Sequence, residues 1–268
     1  MRYGYCASMN FIADGDLRGR EIFEGIVAAG YDYIETQLTF LLDFNPQQMV
    51  ELRQRLAELP CRAGMMIFPY SMPLVDETRD LHVIEEHAKR TLSLAAELGC
   101  EHVVFGHGGT RRVPEGIAYD ETRARLLDVL RILAKLAQAN HLKIAIEPLC
   151  DTNMIVSYPQ AARLAAECGP TMGAVFDLYH AAALGQGPAD ITLAPEQLFH
   201  LHIAQPGTRN IPAQTDDQNC YEAFACAARQ CGYDNKLSVE AGVPDGVNVK
   251  EAVVETLRVL HQHFGGKI

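Results

Sequence analysis

Short runs of apolar residues alternate along this chain with longer stretches in which apolar residues recur every three or four positions. The short runs have the length and density of strands buried on both faces, and the longer stretches have the period of amphipathic helices. Eight strands are predicted, over 2–7, 31–36, 61–68, 102–107, 143–147, 173–177, 199–204 and 236–240. Among the helices between them, Ile84, Ala88, Leu92, Ala95 and Leu98 share one face, with Gly99 as a stop. Leu126, Leu130, Leu133 and Ala137 repeat that pattern, with Asp120 as the predicted cap. The last helix opens on Asn248 with Glu251 three positions on, the spacing of a capping box, and carries Val253, Leu257, Leu260 and Phe264 on one face.

Strand–helix alternation without a break in composition predicts one α/β domain over residues 1–268, a (β/α)8 TIM barrel. A chain of 268 residues, 48% of them hydrophobic, is the right size for one such barrel. A doubly wound open sheet is the competing architecture. It often carries a glycine-rich turn after its first strand, and the segment CASMNFIADG has no GxGxxG.

Four of the predicted strands end on, or carry near their ends, a residue that can ligate a metal. KIAIE ends on Glu147, GAVFD on Asp177 and KLSVE on Glu240, and FHLHIA carries His202 near its end. A lone strand-end acid is ordinarily a loop cap or ion-pair partner. In a parallel barrel, however, all strand C-termini open on one face, so these four would converge. Three carboxylates cannot share a small, partly dry space unless a positive charge holds them, and one divalent cation does so. One imidazole and three carboxylates without a thiolate suit a hard or borderline ion, with Mn2+ first among Mn2+, Mg2+, Co2+ and Zn2+. His200 shares a strand face with His202 and is expected to support it from deeper inside. His107 and Glu35, at the ends of the fourth and second strands, are expected to line the pocket, with ordinary capping or solvent-facing roles as the alternative.

The formal net charge is −11 and the isoelectric point about 5.3, which argues against a nucleic-acid partner. Eight cysteines occur without CxxC spacing, which points to reduced thiols and a cytoplasmic protein. The start, MRYGYCASMN, lacks the apolar core of a signal peptide, and no run approaches the roughly 20 apolar residues of a membrane span.

The segments IAIEPL, FDLYH, HLHIAQPGTRNIP and LSVE, with a softer match at VVFGHGGTRRVPEG, resemble the xylose isomerase-like barrels of sugar isomerases and epimerases, especially the ketose 3-epimerases. The resemblance implies that Glu147, Asp177, His202 and Glu240 ligate one divalent metal and that Glu147 and Glu240 are the acid/base pair. It implies that His180 and Arg209 contact the substrate's oxygens. The implied activity is metal-dependent isomerisation or epimerisation of a ketose or sugar phosphate through an enediolate, in a homodimer or homotetramer. Two features depart from the epimerase pattern. The loop PLCDTNMIV lacks a second glutamate after Glu147, with Asp151 the acid available in its place, and the loop from His202 to Arg209 is about one residue longer. The alternatives on the same barrel are an inosose dehydratase-like lyase and a hydroxypyruvate isomerase-like enzyme. A three-metal nuclease, which the net charge opposes, and a sugar-binding barrel without turnover complete the set.

Overall fold

Every predicted strand forms, and each pairs in parallel with its neighbours in sequence. The computed structural model describes residues 1–265. Its strands are β1 Arg2–Cys6, β2 Tyr33–Gln37, β3 Cys61–Met65, β4 His102–Phe105, β5 Lys143–Ile146, β6 Met172–Asp177, β7 Leu198–Ile203 and β8 Lys236–Val239. They close in simple sequence order, sealed where β1 meets β8 from Arg2↔Lys236 to Tyr5↔Val239. The helices are α1 Phe11–Asp14, α2 Leu17–Ala29, α3 Leu38–Leu41, α4 Pro46–Glu58, α5 Leu81–Glu97, α6 Tyr119–Ala139, α7 Tyr158–Cys168, α8 Leu178–Ala183, α9 Gln218–Gln230 and α10 Val249–Phe264. One helix follows each strand, apart from the single turns α1 and α3, so the chain is a single (β/α)8 TIM barrel. Among the described residues, no helix is long and apolar enough to cross a membrane.

Local chemistry sets the helix starts. Asp16, Asp80 and Asp217 accept backbone N–H groups of the first turns of α2, α5 and α9. Asn45 and Gln48 form a full capping box on α4. The expected cap at Asp120 is not one. Helix α6 begins at Tyr119, one residue earlier, so Asp120 lies inside the first turn, where a carboxylate favours the positive end of the helix dipole. At α10, Asn248 accepts from the Lys250 and Glu251 N–H groups, but Glu251 takes its bond from the Asn248 side-chain amide (3.3 Å), so the box is only half formed.

The pleat divides the burial into two compartments. The large core lies between sheet and helices and includes Ile34, Val103, Ile144, Phe176, Leu201, Leu237, Leu92, Leu130 and Leu260. The lumen holds a separate small apolar cluster of Met65, Val104, Ala145 and Val175. Its remaining buried side chains include Tyr33, Glu35, His102, His200, His202 and Ser238. Apart from His102, these polar groups are bonded to one another. Tyr33 Oη lies 2.8 Å from Ser238 Oγ, Ser238 Oγ donates to Glu35 Oε2 at 2.7 Å, and His200 Nε2 reaches the same oxygen at 2.9 Å. Gly4 makes room for this arrangement, since a Cβ there would collide with the Tyr33 ring.

The bottom of the barrel is closed by an ion cluster. Lys236 is only 1% exposed, and its Nζ lies 2.7 Å from Glu101 Oε2, which Arg2 grips with a two-pronged contact of 3.0 Å to each oxygen. Partial burial pushes the Glu101 pKa up, but Arg2 and Lys236 outweigh it and hold it at about 2. A depressed carboxylate stabilises the fold above its unfolded pKa, and that stabilisation is lost as pH falls through the folded value. We expect Glu101→Gln to cost about 1–2 kcal/mol at neutral pH, since it leaves the Lys236 ammonium poorly paired at a partly screened site. In urea titrations the gap between parent and variant should close as pH falls from about 4.5 towards 2; a gap constant over that range would refute the assignment.

Candidate active site

The four strand-end ligands predicted from the sequence meet at the mouth of the barrel. Asp177 is the last residue of β6 and is in register with His202 on β7. Glu147 and Glu240 stand one residue beyond β5 and β8. Their backbone N–H groups donate to Phe105 O and Ile203 O, both at 3.1 Å, which extends the ladder by one bond and aims both side chains over the lumen. Glu147, Asp177, His180 and Glu240 each offer a ligating atom within 4.8 Å of the others. His202 approaches from below, with Nδ1 2.9 Å from Glu147 Oε1, 3.3 Å from Glu240 Oε2 and 3.8 Å from Asp177 Oδ2.

The electrostatics of this cluster are unbalanced. Burial, with the charge of Glu240, pushes Glu147 above the usual carboxylate range against the opposing pull of His202. Burial also raises Asp177, and Glu240 adds to it. Burial acts on Glu240 in the same sense, but His202 and Arg209 outweigh it and hold Glu240 at about 2. Asp177 Oδ2 and Glu240 Oε2 are both buried without a hydrogen-bond partner among the described residues. Glu240 Oε2 is 3.0 Å from Arg209 Nη2, an ion pair whose geometry falls short of a hydrogen bond. Three close carboxylates, one with an oxygen free of hydrogen bonds and of close ion pairs among the described residues, fit a divalent cation with oxygen preference beside one imidazole nitrogen.

His202 and His180 have different roles, set by their other ring nitrogens. His202 Nε2 lies 3.2 Å from both oxygens of Glu35. Burial lowers the His202 pKa, but Glu35 and Glu147 among its neighbours outweigh this and raise it well above the usual value. His180 Nδ1 accepts the Cys150 backbone N–H at 3.2 Å and has the Cys150 thiol at the same distance. The proton of His180 therefore sits on Nε2, which has no partner among the described residues. An N–H donor there suits a substrate oxygen better than a metal.

The remaining predicted residues divide. His107 lines the pocket as expected; it is 2% exposed and neither ring nitrogen has a partner among the described residues. Burial, helped by the Arg111 charge, lowers its pKa to about 4, so the ring is neutral at physiological pH. Arg209 lines the pocket with its backbone in the left-handed region (φ 57°) and its guanidinium 5.3 Å over the Tyr179 ring. Met66, on the same pocket wall, shares that uncommon backbone (φ 57°). Glu35 corrects its expectation. Strand β2 runs on to Gln37, so Glu35 is fully buried below the pocket, where it holds His200 and His202 instead of facing a substrate. Burial raises its pKa, but the two histidines outweigh this and keep it well below the usual range. His200 supports from deeper inside, as expected.

Two residues escaped the sequence reading. Arg111 is fully buried, donates to Phe105 O (3.3 Å) and to Glu147 O, and so ties the end of β4 to the residue that follows β5. Gly106 lies against the Glu147 carboxylate, where a Cβ would collide with Oε2. Asp151 lines the pocket, but it packs against Gly108, and no hydrogen bond among the described residues joins it to Glu147.

A family described as xylose isomerase-like TIM barrel matches residues 23–263. No curated protein sequence matches this chain. Among solved structures, an apo 3-keto-D-glucoside 4-epimerase from E. coli superposes with a TM-score of 0.78 at 21% identity, covering 98% of this chain and 99% of that one. A D-allulose 3-epimerase from Methylomonas sp. in complex with D-allulose gives 0.80 at 19%, covering 98% and 97%. The IOLI protein with a bound zinc atom gives 0.74 at 19%, covering 98% of each chain. At these identities the structural likenesses establish the fold.

Gly106→Ala should reduce stability by about 1–3 kcal/mol, because the added methyl must displace a buried, bonded carboxylate. Thermal unfolding measures this; a variant as stable as the parent would show that the Glu147 side chain is free to move aside.

Proposed function

The chain belongs to the xylose isomerase-like TIM barrel family, and from that premise we propose that it is a divalent-metal-dependent sugar epimerase acting beside a ketone. The observation that carries this reading is the convergence of Glu147, Asp177, Glu240 and His202 Nδ1, with Asp177 Oδ2 buried and without a hydrogen bond among the described residues. The same four residues would hold the metal. A divalent ion bound there supplies Lewis acidity, neutralising the carboxylates and favouring charge on the sugar oxygens as the adjacent carbon is deprotonated.

Glu147 and Glu240 reach the site from β5 and β8, which are not neighbours in the barrel. One takes the C–H proton from one face of the sugar, leaving an enediolate, and the other returns a proton to the opposite face. The His180 Nε2–H donates to the carbonyl oxygen. Arg209 donates to a hydroxyl with its forked guanidinium and keeps Glu240 ionised. The substrate is a small sugar and not a nucleic-acid strand, since the pocket lining carries Glu147, Asp151 and Glu240 against Arg209. Solved neighbours named as epimerases of 3-keto-D-glucoside and D-allulose support a ketone-bearing sugar.

With Mn2+ present, candidate ketoses should take up solvent deuterium next to the carbonyl without loss of water, whereas water loss from a cyclitol would establish the lyase alternative. Chelation should abolish the exchange. Glu147→Gln and Glu240→Gln should each lower epimerisation by about 10²–10⁴-fold; exchange that survives both chelation and either substitution refutes the mechanism.

Glu35 holds the His202 Nε2–H and so keeps the Nδ1 lone pair aimed at the metal position. Glu35→Gln should weaken Mn2+ binding by about 10–100-fold in calorimetry. An unchanged affinity would show that His202 needs no such support.

A further inference from the structure

Beside the pocket over the carboxylates lies a second cavity of about 280 Å³, lined in part by Ser71, Met72, Pro73, Asp76, Thr110 and Arg112. Tyr70 and Gly109 line both spaces, so the two adjoin. The first holds only about 140 Å³, small beside the roughly 300–1,000 Å³ of ordinary ligand pockets.

The seam between them is built from an exposed aromatic and a buried polar ring. Tyr70 is 69% exposed and packs edge-on against His107 with ring centroids 5.1 Å apart. His107 is buried with both nitrogens unpartnered, and it lines the first cavity. A neutral imidazole there can donate one hydrogen bond and accept another, which suits hydroxyl groups. The Tyr70 ring offers an apolar face to the C–H face of a sugar.

The second cavity is poorly suited to an anion. Its two charged side chains are opposite in sign, and each is partly engaged elsewhere. Asp76 Oδ1 accepts from Thr78 N (2.8 Å) and Thr78 Oγ1 (2.7 Å), and Arg112 Nη1 donates to Asp151 O (2.6 Å). The rest of the lining mixes apolar Met72, Pro73 and Val75 with the hydroxyls of Ser71 and Thr110. That is the composition of a surface for a neutral carbohydrate.

We propose that the second cavity is a subsite for a neutral sugar ring joined to the reacting one, so that the substrate is a glycosylated keto-sugar and not a free ketose or a sugar phosphate. This rests on the epimerase reading above.

The test uses the whole chain loaded with Mn2+ and two matched series, D-fructose and 3-keto-D-glucose, each free, glucosylated and 6-phosphorylated. Deuterium uptake gives kcat/KM for each sugar. The glucosylated form should exceed the free and phosphorylated forms about tenfold or more in at least one series. Ser71→Trp, a change at an exposed position that fills the second cavity, should bring that ratio to about one, and Tyr70→Ala should lower it. A ratio at or below one in both series, or a preference that survives both substitutions, overturns the subsite. If no sugar exchanges deuterium, the proposed reaction fails and affinities decide the subsite. Tighter calorimetric binding of a glucosylated sugar that Ser71→Trp removes upholds the subsite, and equal affinities overturn it.

Discussion

Three buried carboxylates facing one imidazole set the terms for the rest of this molecule. Glu147, Asp177 and Glu240 each carry a desolvation cost that their neighbours only partly offset. The compensating charges are Arg209 and His202; burial lowers the His202 pKa, but neighbours including Glu35 and Glu147 raise it well above the usual value. A metal ligand must give up the proton on its ligating nitrogen, so under the proposed function metal and proton compete for Nδ1 while Nε2–H stays with Glu35. The Glu35 carboxylate thus serves both states. It stabilises the imidazolium, and under the proposed function it orients the neutral ring towards a bound metal.

That arrangement requires a polar lumen, and the fold supplies one without weakening the main core. Alternation along β7 sends His200 and His202 inwards while Leu201 and Ile203 join the outer layer. The lumen is linked by hydrogen bonds from Tyr33 through Ser238 to Glu35 and the two histidines. Buried polar groups are costly when unpaired and rigid when paired, so the same bonds that make the lumen tolerable also hold His202 in place. Below them, Lys236 and Glu101 close the barrel at the end remote from the pocket.

Much of this could be read from the sequence, and the reason is energetic. A carboxylate that ends an apolar strand is an anomaly only a specific partner explains, and four ligating residues on four successive strands made Glu147, Asp177, His202 and Glu240 visible. Strand existence was legible for the same reason, since runs buried on both faces are dense in apolar residues. Exact strand ends were not, and Glu35 shows the consequence. With β2 ending at Gln37, one residue beyond the predicted end, a residue read as pocket-facing lies beneath the pocket. Asp120 failed similarly, because a two-residue shift at a helix start, from Asp120 to Ala118 at the cap, turns a cap into a first-turn charge. Arg111 and Gly106 left no signal. An arginine in a loop ordinarily reads as solvent-exposed, and a glycine needed to avoid the carboxylate of a residue on the next strand has nothing beside it in sequence to mark it.

The loops above the cluster are bound by different constraints from the cluster itself. Glu147 and Glu240 are placed by backbone bonds to Phe105 and Ile203, so their positions are properties of the sheet. Arg209 and Met66 are instead held in left-handed backbone by loop contacts, among them Arg209 N to Gln205 O and Thr39 N to Met66 O, both at 3.1 Å. His107, Tyr70 and Asp151 also stand on loops. A barrel divided in this way can change what it holds above the carboxylates while the positions of Glu147 and Glu240 stay fixed by strand register. The absent second glutamate after Glu147 belongs to the variable part. Arg111 secures the Glu147 backbone, and Gly106 leaves room for its carboxylate, so the residue is positioned from β4 without help from its own loop.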